Sequence, residues 1–398
     1  MKEFLRKSMC MFCVLNVFLI QQVHVPTIYA QQKQTNQQLK QAMEKAATFI
    51  RQQQDEQGAM NESGYINTDS NMLYAMMGLL AAYDLTGKKE YLETVERGMQ
   101  WLVEVQNREG DWYLSYKKEG KRYLPTLPVS YSEFAAIRGV DTTMALFIHV
   151  TSELKERSSN KWLIQKTKIA SSRAYTFLIR HNRDTKDGLF WSSYQKKKTE
   201  KNTNPTELSL TEYDKLYIKF AADNAETYIG LRAYAKLYPM SSASVYAKEL
   251  KENFSLFYDD KEKRFAVMLD KEGKRKMNPP YAEYFATGWS AYLMQEPDLF
   301  TEALISLGDK MKEDGSFKLA DGTYALSSLS FLLGVKGVKR IDREKVDRAS
   351  SFLFTLQQNN GGIADDIDSK NTYVNMAGIF LLYVVDELRL KKGLLLLG

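Results

Sequence analysis

Cysteine and histidine are almost missing from this chain. Its two cysteines, Cys10 and Cys13, stand in an apolar stretch near the N-terminus, and the remaining sequence has none. A disulfide scaffold, a thiolate zinc site and a cysteine nucleophile are therefore excluded for everything downstream. Of the three histidines, His24 lies in the same leader-like region, His149 inside an apolar segment and His181 at the end of an amphipathic one. Proline is sparse at 8 residues in 398, and runs of β-branched residues are nearly absent, which disfavours a doubly wound sheet. No glycine-rich loop stands between a strand pattern and a helix pattern, so a phosphate or dinucleotide cradle is not indicated. Charge of one sign is also lacking: Lys and Arg number 55 against 49 Asp and Glu, a net +6. These charges alternate in sign, as at Lys248, Glu249, Lys251 and Glu252, and the pattern is that of solvated helix faces rather than of a nucleic-acid binder.

What is present begins with Lys2, Arg6 and Lys7, an apolar run from Met9 to Ile20, then Pro26 and Ala30. This order predicts a secretory signal over residues 1–30, cleaved near Ala30, followed by one domain over 31–398. The expectation is a secreted, extracellular protein of Gram-positive-type export, tethered to the membrane if the signal stays. No later segment is expected to span a bilayer, because the most apolar one, Met376 to Val385, runs into Asp386 and Glu387.

From residue 35 onward the chain repeats one phrase. An amphipathic helix ends in a polar turn, a short extended piece with an aromatic follows, and a second helix begins that is apolar on nearly every side. Six turns carry the phrase: QQQDEQGAM from Gln52, QNREGDWY from Gln106, RDTKDGLFW from Arg183, YDDKEKRFAV from Tyr258, KEDGSF from Lys312 and QQNNGGI from Gln357. The amphipathic helices are expected at about 35–54, 88–106, 160–181, 244–258, 298–312 and 343–358, and the apolar ones from near Ser70, Thr142, Asn224, Glu283, Thr323 and Thr372. Six exposed-faced helices alternating with six wrapped ones predict an all-α, (α/α)6 barrel, an inner ring within an outer one. Three connections, 108–140, 183–222 and 259–281, are long and carry alternating or aromatic segments around charged tips. They predict short β-hairpins on one rim, at the N-terminal ends of the inner helices.

This architecture and phrasing resemble the six-hairpin glycosidase superfamily of α/α toroids. The QNREGDWY and QQNNGGI turns are also similar to repeats of terpenoid cyclases and toroid pectate lyases. The stretch VDTTM around Asp141 resembles the start of an inner helix in unsaturated glucuronyl hydrolases. The resemblance implies a carbohydrate-active protein with Asp141 as one of two catalytic carboxylates. Toroid epimerases that rely on paired histidines, and toroid prenyltransferases that need zinc, are poor matches for a chain this short of His and Cys.

The residues themselves point to the same rim. Asp69, Asp141 and Asp223 each stand at the opening of an inner helix, where the helix N-terminus keeps a carboxylate ionised. Asp69 and Asp223 are the candidate partners of Asp141, with Glu226 and Glu283 in reserve for the acid because aromatic neighbours would desolvate them. Trp112, Tyr116, Tyr131, Trp191, Tyr194, Tyr228, Tyr281 and Tyr284 are the candidate platforms for sugar rings. No cofactor is expected. The acidic run ADDID from Ala364 to Asp368 admits calcium as the one metal alternative. The expected partner is a poly- or oligosaccharide, cleaved as by a glycoside hydrolase. A non-catalytic glycan-binding or exopolysaccharide-assembly protein and a polysaccharide lyase are the alternatives on the same scaffold.

Overall fold

The structure, a computed structural model, describes residues 34–62, 64–68, 71–198, 209–277, 284–319, 322–323, 325–336 and 338–391. Thr35 starts the first helix with a capping box: its hydroxyl accepts the Gln38 amide at 3.2 Å, and the Gln38 side chain accepts the Thr35 amide at 2.8 Å. The outer helices are α1 (Asn36–Gln53), α3 (Lys89–Glu104), α5 (Lys161–Phe177), α7 (Ala243–Asn253), α9 (Pro297–Asp309) and α11 (Arg343–Thr355). Each buries one stripe; in α1 it is Leu39, Ala42, Met43, Ala46, Ala47 and Ile50, the spacing of a helix with one face to the core. The inner helices are α2 (Asn71–Thr86), α4 (Asp141–Arg157), α6 (Ala221–Leu237), α8 (Ser290–Met294), α10 (Ala325–Gly334) and α12 (Val374–Lys391). They are buried all round, every residue from Asn71 to Leu80 being inside. The fourth inner helix departs from regular form, opening with a wide π turn over Phe285–Trp289 and closing on Gln295 in the left-handed region at φ 55°.

Inner helices pack in ring order, and α12 returns to α2. Three of the six neighbouring pairs approach backbone to backbone through glycine. A Cβ on Gly78 of α2 would lie 2.4 Å from the Gly378 carbonyl of α12, one on Gly230 of α6 would lie 2.6 Å from Ala145 of α4, and one on Gly334 of α10 would meet Gly288 of the π turn at 2.6 Å. The outer ring is stitched by the polar turns. The Gln54 side chain donates to the Thr94 carbonyl of α3 at 2.8 Å, and Gln106 donates to Ala170 of α5 at 3.0 Å. Gln357, from the last turn, donates to Ala42 of the first helix at 2.9 Å and so closes the circle. Gly58, Gly110, Gly315 and Gly361, all at positive φ, seat against the backbone of the next outer helix at the same points.

The long connections form small antiparallel sheets on one rim. Strand 115–119 pairs with 122–125 and with 66–67; strand 193–197 pairs with 134–138 and with 214–216; strand 268–269 pairs with 275–276 and with 219–220. The expected hairpins form, and each also recruits a strand from an adjoining connection, so that separate small sheets together make a collar on the rim. No helix among the described residues is long and apolar enough to cross a membrane.

Candidate functional site

The collar is tied to the inner helices by one recurrent bond. The residue four positions after a turn glycine offers its carbonyl to the chain at the start of the preceding inner helix: Leu114 to the Thr68 amide at 3.0 Å, Ser192 to Asp141 at 2.9 Å, Asp365 to Ala325 at 2.7 Å. That position therefore sits on the rim between consecutive inner helices. In the first and last turns it is acidic, Glu62 after Gly58 and Asp365 after Gly361.

Glu62 takes a hydrogen bond from the Asn71 side chain of α2 and one from the Val374 amide of α12. Burial pushes its carboxyl up to about 8 against those two donors, and the negative charge of nearby Asp365 adds to the rise. Asp365 is 6% exposed. Burial raises it to about 7, opposed by a hydrogen bond from Tyr373 and assisted by Asp366. Two neighbouring carboxyls are thus held near or above neutrality where the first and last repeats meet.

Glu226 lies in the second turn of the third inner helix. It is 1% exposed, and it accepts hydrogen bonds from the Tyr74 hydroxyl of α2 and, at 2.7 Å, from the Trp289 indole beside α8. Tyr74 meets Trp289 edge-on at 5.2 Å, and Phe285 stacks on Trp289 at 5.6 Å. Side chains from three inner helices thereby bridge the hollow of the ring. Tyr74→Phe removes one of the buried donors and is expected to lower stability by about 1–3 kcal/mol, read as a fall in the denaturant midpoint at unchanged slope.

Asp141 is 0% exposed. It occupies the first turn of α4, where its side chain accepts the Thr142 amide at 3.0 Å. Asp223 is half-buried in the first turn of α6, one turn before Glu226 on the same helix. Asp69, Tyr281 and Glu283 lie outside the described residues. Trp112 donates to the Leu102 carbonyl at 2.8 Å, Tyr116 to Val105 at 3.2 Å and Tyr194 to His181 at 2.7 Å, so these three buried rings anchor the collar to the outer helices. Tyr131 packs into the small cluster of Leu114, Phe134, Ile137 and Val140. Tyr228 lies under the Arg232 guanidinium at 5.6 Å, and Tyr284 is tilted against Phe317 at 5.1 Å. Trp191 carries the Lys219 ammonium over its face at 4.0 Å and meets Tyr217, which is exposed, edge-on at 5.4 Å. Around them, Lys215 stands 5.6 Å from the Tyr194 ring and 5.8 Å from the Tyr217 ring, and burial lowers its pKa against the attraction of Asp184. Arg138 is held by Asp111 at 2.5 and 2.6 Å and lies 5.5 Å from both the Tyr113 and Tyr213 rings, a buried brace for the collar rather than an open cation.

Glu62 is missed in the sequence, and Asp365 enters only within the ADDID run, as a calcium alternative. The signal that would have found them is their shared register, an acid four residues beyond the turn glycine in the two repeats that become neighbours on closure. Within the ADDID run, Asp365 turns inward while Asp368 is exposed, and among the described residues no three His, Cys, Asp or Glu side chains gather to hold a metal ion.

Fold and rim together define a six-hairpin (α/α)6 toroid with carboxyl groups gathered at the N-terminal ends of its inner helices. Residues 31–175 match the pectic acid lyase family. A stretch of 57 residues is 39% identical to dammaradiene synthase of Dryopteris crassirhizoma, covering 14% of this chain and spanning only 8% of that protein. Cellobiose 2-epimerase from Bacillus thermoamylovorans superposes with a TM-score of 0.63 at 10% identity, covering 89% of this chain and all of the other. A family 88 glycosyl hydrolase from Bacteroides vulgatus gives 0.57 at 13% identity, covering 89% of this chain and 99% of its own. At such identities the two structures share the fold with this chain.

Proposed function

We propose that this protein is a carbohydrate-active enzyme that cleaves glycosidic bonds in an exported setting, the carboxyl-bearing rim being its active site. In this reading Glu62, with Asp365 beside it, supplies the proton to the leaving oxygen, and Asp223 supplies the charged carboxylate from the third inner helix. The observation that carries the reading is the placing of two carboxyls, Glu62 and Asp365, side by side where the first and last repeats meet, with burial raising both. A glycosidase needs one carboxyl that is still protonated at working pH and another that is not. Asp141, which is buried, would orient the α4 terminus. Tyr217, exposed on the same collar, would offer a platform to a sugar ring.

A second reading is favoured by the match to the pectic acid lyase family over residues 31–175 and by Lys215, an amine whose pKa is lowered by burial on the same collar. A lyase removes the proton beside a uronate carboxylate with such a base. One assay separates the readings: incubation with polygalacturonate and a panel of neutral polysaccharides. Release of reducing ends without new ultraviolet absorbance supports the hydrolase, appearance of a conjugated double bond supports the lyase, and binding with neither product makes the protein a glycan-holding one.

A further inference from the structure

The hollow of the ring reopens beneath the Glu226 bridge. One turn below each bridging residue stands one that lines a second chamber: Met77 below Tyr74, Ile229 below Glu226, Tyr292 below Trp289. This chamber opens on the opposite face, at the C-terminal ends of the inner helices, and measures about 480 Å³, within the ~300–1,000 Å³ range of small-ligand sites. Its base is apolar, formed by Met77, Leu80, Ile229, Leu293 and Leu382.

Its walls carry charge that is matched within the protein except at Arg232, which is exposed and lies over the Tyr228 ring at 5.6 Å. Arg157 grips both oxygens of Asp84 at 2.7 Å and Glu153 at 2.9 Å, while Arg389 reaches Asp84 at 3.5 Å and Asp386 at 3.9 Å. Lys236 pairs with Glu156. Each lining carboxylate therefore has a cationic partner, and burial lowers the pKa of His149, against the pull of Glu153, which favours the neutral imidazole. Walls paired in this way leave an ion only the Arg232 guanidinium, itself placed over the Tyr228 ring, to meet. They still present unused carboxylate lone pairs and guanidinium protons in planar, paired geometry, which suits adjacent hydroxyls.

We propose that this second chamber is a binding site for a neutral polyhydroxylated ring compound, a mono- or disaccharide, whose apolar face rests on the aliphatic base and whose hydroxyls bond to the Arg157–Asp84–Glu153 network. The site is separate from the carboxyl-bearing rim and does not depend on its chemistry. Full-length protein carrying labelled methyl groups tests it by NMR, with maltose, glucuronate and spermidine as probes. Maltose is expected to shift the methyl signals of Met77, Leu80, Ile229 and Leu382 in a saturable way. Ala81→Phe, which fills the chamber, is expected to weaken that binding at least about tenfold, a change of ~1.4 kcal/mol, with glycan turnover retained. Lys236→Ala, an exposed change that leaves the fold intact, is expected to weaken it about threefold, ~0.7 kcal/mol on the same scale. The proposal is overturned if maltose moves none of these methyls, if Ala81→Phe leaves its affinity unchanged, or if glucuronate or spermidine binds about tenfold more tightly than maltose. Glu62→Gln separates the two sites, since it is expected to stop turnover while leaving the maltose shifts in place.

Discussion

Replacing Glu62 by Gln is expected to reduce glycan cleavage by about 100-fold or more, the contribution of a positioned general acid, without lowering the melting temperature. Gln keeps the size of the side chain and an acceptor for Asn71 and Val374, but has no proton to give at the leaving oxygen. The pH behaviour supplies an independent check. With the carboxyl held up to about 8, wild-type turnover that depends on the protonated form should fade as pH rises through that value. Stability should change in the same direction. A carboxyl raised above its unfolded value near 4.5 binds more protons in the folded state, so the folded state loses stability as pH climbs from about 5 through 8. Glu62→Gln, and Asp365→Asn with its carboxyl at about 7, should each flatten that decline. Melting curves across this window decide it: a variant that melts as the wild type does at every pH would show that neither carboxyl is held protonated.

Gly361→Val is expected to destabilise the protein by more than about 4 kcal/mol and to leave a partly unfolded chain at 37 °C. Gly361 sits at φ +91°, and a Cβ there would lie 2.1 Å from the Lys45 carbonyl of the first helix. Lys45 belongs to the backbone of a packed helix and cannot move aside as a flexible side chain would. The contact lies where the last repeat meets the first, next to the Gln357 bond to Ala42, so the strain falls on ring closure itself. Gly87→Ala is the internal control. Its φ of +69° is also left-handed, but nothing lies within 4 Å of an added Cβ, so only the backbone cost of about 1–2 kcal/mol applies. Guanidinium denaturation of the two variants should differ accordingly; equal losses would mean that the closure contact carries no special load.

The helical plan was legible because its signals are local. The amphipathic stripe from about residue 35 announces the first helix, the Gln-and-Gly turns mark where outer helices stop, and a stretch such as NMLYAMMGLLAAY can satisfy its side chains only when wrapped. The expected outer helices therefore fall within a few residues of those observed from Asn36 to Thr355. The fourth inner helix was harder to read. FATGWSAYLM looks continuous, yet its turn widens at Gly288, where the backbone of the fifth inner helix approaches to 2.2 Å of a would-be Cβ.

Aromatic and acidic residues could be placed on the rim by reading the chain, but their duties could not. Trp112 and Tyr116 look like sugar platforms in a list of rim residues; their polar tips turn out to be bonded to outer-helix carbonyls. Asp141 and Asp365 are both acids near helix starts, and only the folded chain separates one bonded to its neighbour's amide from one raised to about 7.

Periodicity, capping and turn chemistry act over a few residues, so the sequence by itself determined the twelve helices, their alternation and the rim on which the connections gather. The raised carboxyls of Glu62 and Asp365, the bridge of Glu226 to Tyr74 and Trp289, and the chamber beneath it were decided by tertiary structure alone. Those properties depend on desolvation and on neighbours from opposite ends of the chain, and such neighbours exist only once the last hairpin has closed against the first.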